Sequence, residues 1–215
     1  MMKPLARWAL ATAVAASLLL GLGDSDDPWL WAYVAVFAAV GMYAMLSMDE
    51  DLMKERFTPP SKGADRLSLR AVRLIAAAHI AVAIADSRFK WTHVPDVWRA
   101  IGLAGFGVGF LVIVQAMKTN RFFSSVVRIQ EDRGHRLIDT GPYAVIRHPG
   151  YAGMIPAIPL GALALGSWLA VAVALTYSVL IWRRVRFEDR FLQENLAGYE
   201  AYTHRVRYRL VPGVW

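Results

Sequence analysis

The stretch YAGMIPAIPLGALALGSWLAVAVALTYSVLIW, residues 151–182, decides the fold of this chain. It is almost wholly apolar and too long for one membrane helix of ordinary tilt, because about twenty residues cross a hydrocarbon core of roughly 30 Å. Gly166 and Ser167 interrupt it near the middle. We therefore predict a tight helical hairpin, with one helix from Tyr151 to Leu165 and a second from Trp168 onward.

Four further apolar blocks precede this hairpin. They cover about residues 5–22, 29–48, 67–85 and 97–117. The polar stretch over residues 49–66 contains Pro59-Pro60 and is predicted to be a loop. The chain is 56% hydrophobic, and its apolar residues form blocks of membrane-spanning length. We predict an all-α, polytopic membrane bundle of about six spans that forms one membrane domain overall.

The charge distribution sets the orientation of this bundle and excludes several classes of site. Lysines and arginines give the chain a net charge of +7, and they lie in alternate loops and at both termini. The positive-inside rule then predicts cytoplasmic N- and C-termini, with the basic residues meeting membrane lipids rather than nucleic acid. Cysteine is absent, which excludes disulfides, thiolate metal sites and cysteine nucleophiles.

The first polar cluster lies just before the hairpin. Residues 134–151 read GHRLIDTGPYAVIRHPGY, and three glycines and two prolines make this a turn-rich segment. Arg147 and His148 stand directly before an apolar helix, at the depth of the membrane interface. Such a helix start offers unpaired N–H groups to a carboxylate or nucleotide. The alternative is an interfacial loop that only anchors the chain to headgroups.

The second polar cluster is RVRFED, residues 184–189, on the cytoplasmic continuation of the last helix. We expect that helix to run through Glu188 and Leu192 until Gly198 ends or bends it. Arg184 and Glu188 are four residues apart and share a helix face, where an ordinary ion pair is one explanation. The other is a site at a membrane exit, with the carboxylate holding an ammonium or ribose hydroxyls and the arginine holding an anionic acceptor.

Together, GHRLIDTGPYAVIRHPGYAG (134–153) and RVRFEDRFLQENLAGYEAYTHRVRYRLVPGVW (184–215) resemble the isoprenylcysteine carboxyl methyltransferase family and related phospholipid N-methyltransferases. The resemblance covers about Asn120 to Trp215. It implies a membrane enzyme that takes a methyl group from S-adenosylmethionine, leaving S-adenosylhomocysteine, at the cytoplasmic face. The lipophilic acceptor would present a carboxylate, an amine or a thiol. Residues 1–117 would then be N-terminal transmembrane helices, and 118–215 the cofactor-binding and catalytic region.

The resemblance also implies a set of site residues. Arg184 matches a catalytic arginine at the acceptor end. The positions expected to bind the cofactor are Gln130, His135, Arg136, Leu137, Ile138, Tyr143, Arg147, His148, Pro149, Gly150, Tyr151 and Glu188. The contact assigned to Gln130 falls near Arg128 or Gln130. Asp189 replaces a glutamate of the family, which leaves its role open. For an amine or thiol acceptor, His148 or His135 is the nearest base.

Two rival functions are weighed against methyl transfer. A membrane NADPH-dependent reductase of the sterol-reductase type shares a similar helical architecture. Enzymes of that type usually carry an acidic residue shortly after the glycine of the motif, whereas Met154 follows Gly153 here. A non-catalytic membrane scaffold or transporter would leave both polar clusters unexplained.

The remaining polar and small residues are assigned structural roles. Mid-span His79 is predicted to be a satisfied interhelical group, and no metal site is expected because His93 and His204 lack partners at ligand spacing. Tyr199 and Tyr202 are expected to seat the tail on the membrane, with covering of the cofactor as the second possibility. Close helix packing explains the glycines of the fourth block, Gly102, Gly105, Gly107 and Gly109.

Overall fold

The computed structural model of the chain describes residues 2–57 and 66–215, and every regular element in these ranges is helical. The α-helices are α1 Met2–Leu22, α2 Pro28–Ser47, α3 Glu50–Phe57, α4 Arg66–Phe89, α5 Asp96–Thr119, α6 Pro149–Ala164, α7 Trp168–Asn195 and α8 Tyr199–Arg205. Two short 3-10 turns, Glu131–Arg133 and Gly141–Ala144, interrupt the connector between α5 and α6. The predicted all-α fold is confirmed.

Three of the described helices, α2, α5 and α7, are long and apolar enough to cross a membrane. By comparison, α6 has only 16 residues, and α4 carries Arg70, Arg73, Asp86 and Arg88 along its 24 residues. The multi-pass character predicted from the sequence therefore rests on these three helices. The count of six crossings and the cytoplasmic side of the termini remain predictions.

The segment predicted as a loop over residues 49–66 is partly helical, so that prediction was wrong. Helix α3 begins where Asp49 Oδ1 accepts a hydrogen bond from the backbone N–H of Leu52 at 2.7 Å, an N-cap contact. Acidic residues in its first turn and basic residues in its last complement the helix dipole. Leu52 and Met53 are buried and anchor the helix. Pro59-Pro60, which indicated a loop, lie outside the described residues.

The predicted hairpin is confirmed, with α6 and α7 packed against each other. Gly166 turns the chain with φ +83°, a conformation that costs glycine little. Ser167 caps α7 by accepting a hydrogen bond from Ala170 N–H at 2.9 Å, and its hydroxyl donates to buried Asp86 of α4 at 2.5 Å. Beyond the apolar part, α7 continues past Glu188 and ends at Asn195. The two polar clusters are thereby held at the same end of the bundle.

Helices α5 and α6 pack closely because glycines line their contact. A Cβ atom on Gly102 would stand 2.6 Å from the carbonyl oxygen of Leu160, and one on Gly109 would stand 2.8 Å from the Cβ of Ala157. Neither distance is tolerated by a side chain. The assignment to helix packing is confirmed for Gly102, Gly105 and Gly109, and their close contacts bring the start of α6 beside the end of α5.

The prediction for His79 was wrong. Its side chain on α4 is only 3% exposed, and neither ring nitrogen has a hydrogen-bond partner within the described part of the chain. The side chains of Ile75, Ala76 and Ile80, one turn or less away on α4, are apolar and can offer no donor or acceptor. An interhelical hydrogen bond does not form here, because burial alone does not supply a partner.

Candidate active site

The two polar clusters meet around one cavity of about 400 Å³, a volume in the range of small-molecule sites. The connector between α5 and α6 forms one wall, the first turns of α6 and the polar part of α7 form another, and α8 closes one side. Residues of α3 and α4 complete the lining. Parts of both 1–117 and 118–215 therefore build the same cavity.

Nearly all the site residues expected from the sequence line this cavity. They are Gln130, His135, Arg136, Leu137, Ile138, Tyr143, Arg147, His148, Gly150, Tyr151, Arg184 and Glu188. Pro149 does not line it and is buried as the first residue of α6. Proline suits that position because the first N–H of a helix has no partner within the helix. Arg128 and Gln130 both line the cavity, so its geometry does not choose between these alternatives.

Asp189, whose role the sequence left open, holds the cavity wall together. This carboxylate is 1% exposed and accepts hydrogen bonds from Arg147 Nε at 2.8 Å and Arg209 Nε at 2.8 Å. His148 Nε2 lies 3.1 Å from it, and Tyr199 Oη lies 3.2 Å from it. These partners come from the connector, from α8 and from the tail that follows α8 (residues 206–215). Asp189 therefore ties three segments to α7.

The side chain of Arg147 faces this network. Besides Asp189, it donates at 2.8 Å to the backbone carbonyls of Val206 and Arg207. The backbone of the same segment is also bound to the tail, because Arg147 N–H donates to Tyr208 O and His148 N–H donates to Arg209 O, each at 2.9 Å. Arg147 thus serves chiefly to lock the tail over the connector, although part of it lines the cavity.

Glu188 and Arg184 are linked through Tyr151. Tyr151 donates its hydroxyl proton to Glu188 Oε2 at 2.6 Å, and Arg184 Nε donates to the same hydroxyl oxygen at 2.8 Å. Arg184 also donates to the carbonyl of Ser125 at 2.6 Å and is only 5% exposed. Tyr151 of the first polar cluster and Ser125 of the connector therefore fix this arginine at the cavity wall.

Tyrosines of α8 line the cavity, which favours covering of the site over the membrane seat expected for the tail. Tyr199 and Tyr202 are both buried, and Tyr202 donates its hydroxyl to the carbonyl of Tyr143 at 2.7 Å. Burial raises the pKa of both phenols far above the ordinary value, so they stay protonated donors. Their spacing of three residues directly after Gly198 was the available sequence signal, since it puts both rings on one helix face.

The connector presents His135 to the cavity in its neutral form. Its ring packs against Phe122, with 4.7 Å between centroids, and Nδ1 accepts a hydrogen bond from the backbone N–H of Gln130 at 3.3 Å. Burial, and then the charges of Arg128 and Arg133, lower the pKa of this imidazole below its ordinary value. Gln130 itself is buried, and its amide nitrogen donates to Phe122 O at 2.6 Å.

Sequence reasoning missed two cationic residues of the cavity, Arg56 of α3 and Arg73 of α4. Arg128 shows how α3 reaches this site: its guanidinium pairs with Glu55 of α3 at 2.9 Å and with Asp132 of the connector at 2.7 Å. In the sequence, Arg56 is one of the basic residues of the predicted 49–66 loop, and no motif surrounds it. Its position depends on the packing of α3, which the sequence did not predict.

Comparison with known proteins agrees with this architecture. Residues 100–194 match the model of the isoprenylcysteine carboxyl methyltransferase (ICMT) family. The solved structure of a eukaryotic intramembrane Ras methyltransferase, ICMT, superposes with a TM-score of 0.64 at 19% identity, covering 96% of this chain and 75% of that one. That similarity supports the fold, including the N-terminal helices that lie outside the family match.

Two curated plant relatives also align. Protein-S-isoprenylcysteine O-methyltransferase B of Arabidopsis thaliana is 22% identical over 160 residues, which cover 67% of this chain and 78% of the plant protein. A probable protein-S-isoprenylcysteine O-methyltransferase of Oryza sativa subsp. indica is 31% identical over 115 residues, which cover 49% of this chain and 57% of the rice protein. Together with the family match, they favour methyl transfer over the reductase and scaffold alternatives. The chain is therefore similar to the isoprenylcysteine carboxyl methyltransferase family over residues 100–194, and its apolar helices together with the ICMT fold identify it as a multi-pass membrane protein.

Proposed function

We propose that this chain binds S-adenosylmethionine in the cavity between the connector, α7 and α8, and methylates a lipophilic acceptor that enters from the bilayer. The observation that carries the proposal is the meeting of two unlike regions in one cavity. A polar chamber contains Glu188, Arg184 and the buried tyrosines of α8, and an apolar arm lies between α4, α6 and α7. A charged cofactor suits the chamber, and an apolar chain suits the arm.

The residues of the polar chamber fit such a cofactor. Glu188 keeps acceptor capacity beyond its hydrogen bond from Tyr151, and a carboxylate suits ribose hydroxyls or an ammonium group. Tyr199, Tyr202 and the neutral ring of His135 offer aromatic surfaces for an adenine. S-adenosylmethionine supplies a methyl group on a sulfonium, and its loss leaves the thioether S-adenosylhomocysteine. The other motif positions that line the chamber are proposed to contact the same molecule.

The acceptor end follows from the apolar arm and from Arg184. Val72, Met154 and Ile181 line the arm and belong to one apolar cluster of α4, α6 and α7. We assign Arg184 to orient the acceptor atom where the arm meets the chamber. The acceptor group would be a carboxylate, an amine or a thiol, and the names of the plant relatives put an isoprenyl thioether carboxylate first.

The cavity is assigned to the cytoplasmic side of the membrane. Arg183, Arg186 and Arg190 are exposed on the polar part of α7, around the same end of the bundle. The positive-inside rule puts such a group of arginines in the cytoplasm, where they meet anionic lipid headgroups. Because the chain has no cysteine, labelling of an Arg190→Cys variant in sealed vesicles of known orientation would locate this end.

The test of the proposal uses the full chain in detergent. S-adenosylhomocysteine should raise the melting temperature of the wild type, and NADPH should not. Membranes that contain the wild type should transfer radiolabelled methyl from S-adenosylmethionine into an extractable lipophilic product. Arg184→Ala and Glu188→Ala should both lose most of this incorporation. The matched control is Glu194→Ala, which changes an exposed carboxylate of α7 and should keep it. Full activity of both cavity variants, or stabilisation by NADPH alone, would overturn the proposal.

A further inference from the structure

The cavity has an excess of positive charge. Within residues 2–57 and 66–215, the cavity is lined by one carboxylate, that of Glu188, and by the guanidinium groups of six arginines: Arg56, Arg73, Arg128, Arg136, Arg147 and Arg184. Two of these have carboxylate partners behind the wall, because Arg147 pairs with Asp189 and Arg128 pairs with Glu55. The cavity as a whole therefore favours an anionic occupant.

Arg56 of α3 lines this cavity and packs against an aromatic ring. Among the residues that the structure describes, its guanidinium forms no salt bridge, and it lies 5.6 Å from the centre of the Phe123 ring. Burial lowers the pKa of Arg56, although an arginine stays protonated in proteins. A half-buried cation of this kind is costly unless an anion compensates it.

Helix α3 fixes the position of Arg56. The neighbouring residue, Glu55, is buried and accepts hydrogen bonds from Ser124 Oγ at 2.6 Å and from Arg128 at 2.9 Å. These contacts tie α3 to the connector on one side, while Leu52 and Met53 pack into the core on the other. Arg56 is thus placed at the cavity by a supported helix rather than by a loose side chain.

Arg56 lies on the acceptor side of the cavity. The groups close enough to act on its charge are Tyr177 and Tyr151, followed by Arg184 and Arg73. Tyr177 and Tyr151 belong to the apolar cluster of the arm, and Arg184 donates a hydrogen bond to the hydroxyl of Tyr151. An anion bound between Arg56 and Arg184 would therefore lie at the head of an apolar chain.

We infer that Arg56 determines acceptor specificity: together with Arg184 it binds the anionic group of the acceptor and excludes neutral and cationic head groups. Two guanidinium groups suit the paired oxygens of a carboxylate, each through charge-assisted hydrogen bonds. Arg56 lies outside the residues that match the family model. The inference rests on the proposed function, and it assigns an anionic partner to a guanidinium that no carboxylate of the described residues neutralises.

The experiment measures binding by the full chain in detergent, saturated with S-adenosylhomocysteine. The probes are an isoprenyl thioether ending in a carboxylate, its methyl ester, and the matched primary amine. The wild type should bind the carboxylate best. Arg56→Gln and Arg56→Met should weaken carboxylate binding by at least about tenfold while leaving the ester unchanged, because a charge-assisted contact is lost. Arg56→Lys should recover part of the preference.

Controls separate this role from folding and from cofactor binding. Arg56→Met retains a long side chain against Phe123, so it preserves packing if Arg56→Gln does not. Arg70→Gln changes an exposed arginine of α4 that does not line the cavity, and it should bind all probes as the wild type does. The affinity of each Arg56 variant for S-adenosylhomocysteine should stay within about twofold of the wild type.

The outcomes are distinguishable. A wild type that does not bind S-adenosylhomocysteine refutes the proposed function. A wild type that binds it but shows no preference for the carboxylate refutes the inference alone. The inference also fails if the Arg56 variants keep the carboxylate preference. It fails equally if they lose S-adenosylhomocysteine affinity in the same proportion, since Arg56 would then serve the cofactor or the fold.

Discussion

Two neighbouring carboxylates of α7 lie in opposite surroundings. Asp189 is buried and accepts hydrogen bonds from Arg147, Arg209 and Tyr199, which belong to three other segments. Glu188 is half-buried, lines the cavity and accepts a hydrogen bond from Tyr151. Because a carboxylate offers about four acceptor positions, Asp189 is saturated by the protein and Glu188 is not. One side of α7 therefore holds the fold together, and the adjacent side is available to a ligand.

This difference separates stability from binding within one helical turn. Removing a buried carboxylate whose acceptor positions are all used leaves its hydrogen-bond donors without a partner. The charged donors among them then carry uncompensated charge. Removing a carboxylate that faces a cavity leaves the fold intact and removes a ligand contact. Substitution of Asp189 should therefore lower the free energy of unfolding more than it lowers ligand affinity. Substitution of Glu188 should do the reverse.

The largest expected effect is that of Asp189→Ala. The substitution leaves Arg147 buried without its partner, and we expect the free energy of unfolding to fall by about 3–5 kcal/mol. Denaturant unfolding in detergent measures it. Glu194→Ala, on the exposed side of the same helix, should stay within about 0.5 kcal/mol. Equally small losses of unfolding free energy for both variants would contradict the structural role assigned to Asp189.

The next effect is that of Glu188→Gln. The amide is the same size but lacks the charge, so affinity for S-adenosylhomocysteine should fall by about 1.5–3 kcal/mol while the unfolding free energy changes by less than about 1 kcal/mol. Isothermal titration in detergent gives the affinity, and the unfolding curve gives the stability. A variant that loses stability but keeps its affinity would reverse the roles assigned to the two carboxylates.

Sequence patterns located the fold and both polar clusters because their signals are local. The length of the apolar stretch over 151–182 requires two helices, and Gly166-Ser167 shows where the chain turns. The glycines and prolines of 134–151 mark turns without knowledge of any distant contact. These features depend on backbone freedom and on bilayer thickness, which are the same wherever the segment packs.

The roles of individual side chains could not be derived in the same way. Glu188 and Asp189 point about 100° apart around the helix, and from the sequence either one could face the cavity. The packing of α8 and the connector against α7 decides which of them does. The burial of Tyr199 and Tyr202 depends on the same packing. Two further results depend on contacts between segments that are far apart in the chain. Arg56 of α3 lines the cavity, and His79 has no hydrogen-bond partner among the described residues.

A smaller effect is expected for Tyr151→Phe, which removes the hydroxyl between Arg184 and Glu188. The wall keeps its shape, but Arg184 loses one of the contacts that orient it, so kcat/KM should fall about tenfold. Methyl transfer into the lipophilic product measures this, with Tyr208→Phe in the exposed tail as the matched control. An unchanged kcat/KM would mean that the contact to Ser125 O is enough to position Arg184.

The smallest expected effect is the pH dependence of unfolding stability that comes from His135 on the connector. The pKa of His135 lies below its ordinary value of 6.5, so below that pH the unfolded chain binds more protons at this residue than the folded chain does. Stability contributed by neutral His135 should therefore fall as the pH drops below about 6.5, and be constant above it. Unfolding midpoints of the wild type and His135→Gln should diverge least in acid and most near neutral pH. A difference between them that does not depend on pH would show that the folded and unfolded chains protonate His135 alike, and that this wall of the cavity is more solvated than its packing against Phe122 indicates.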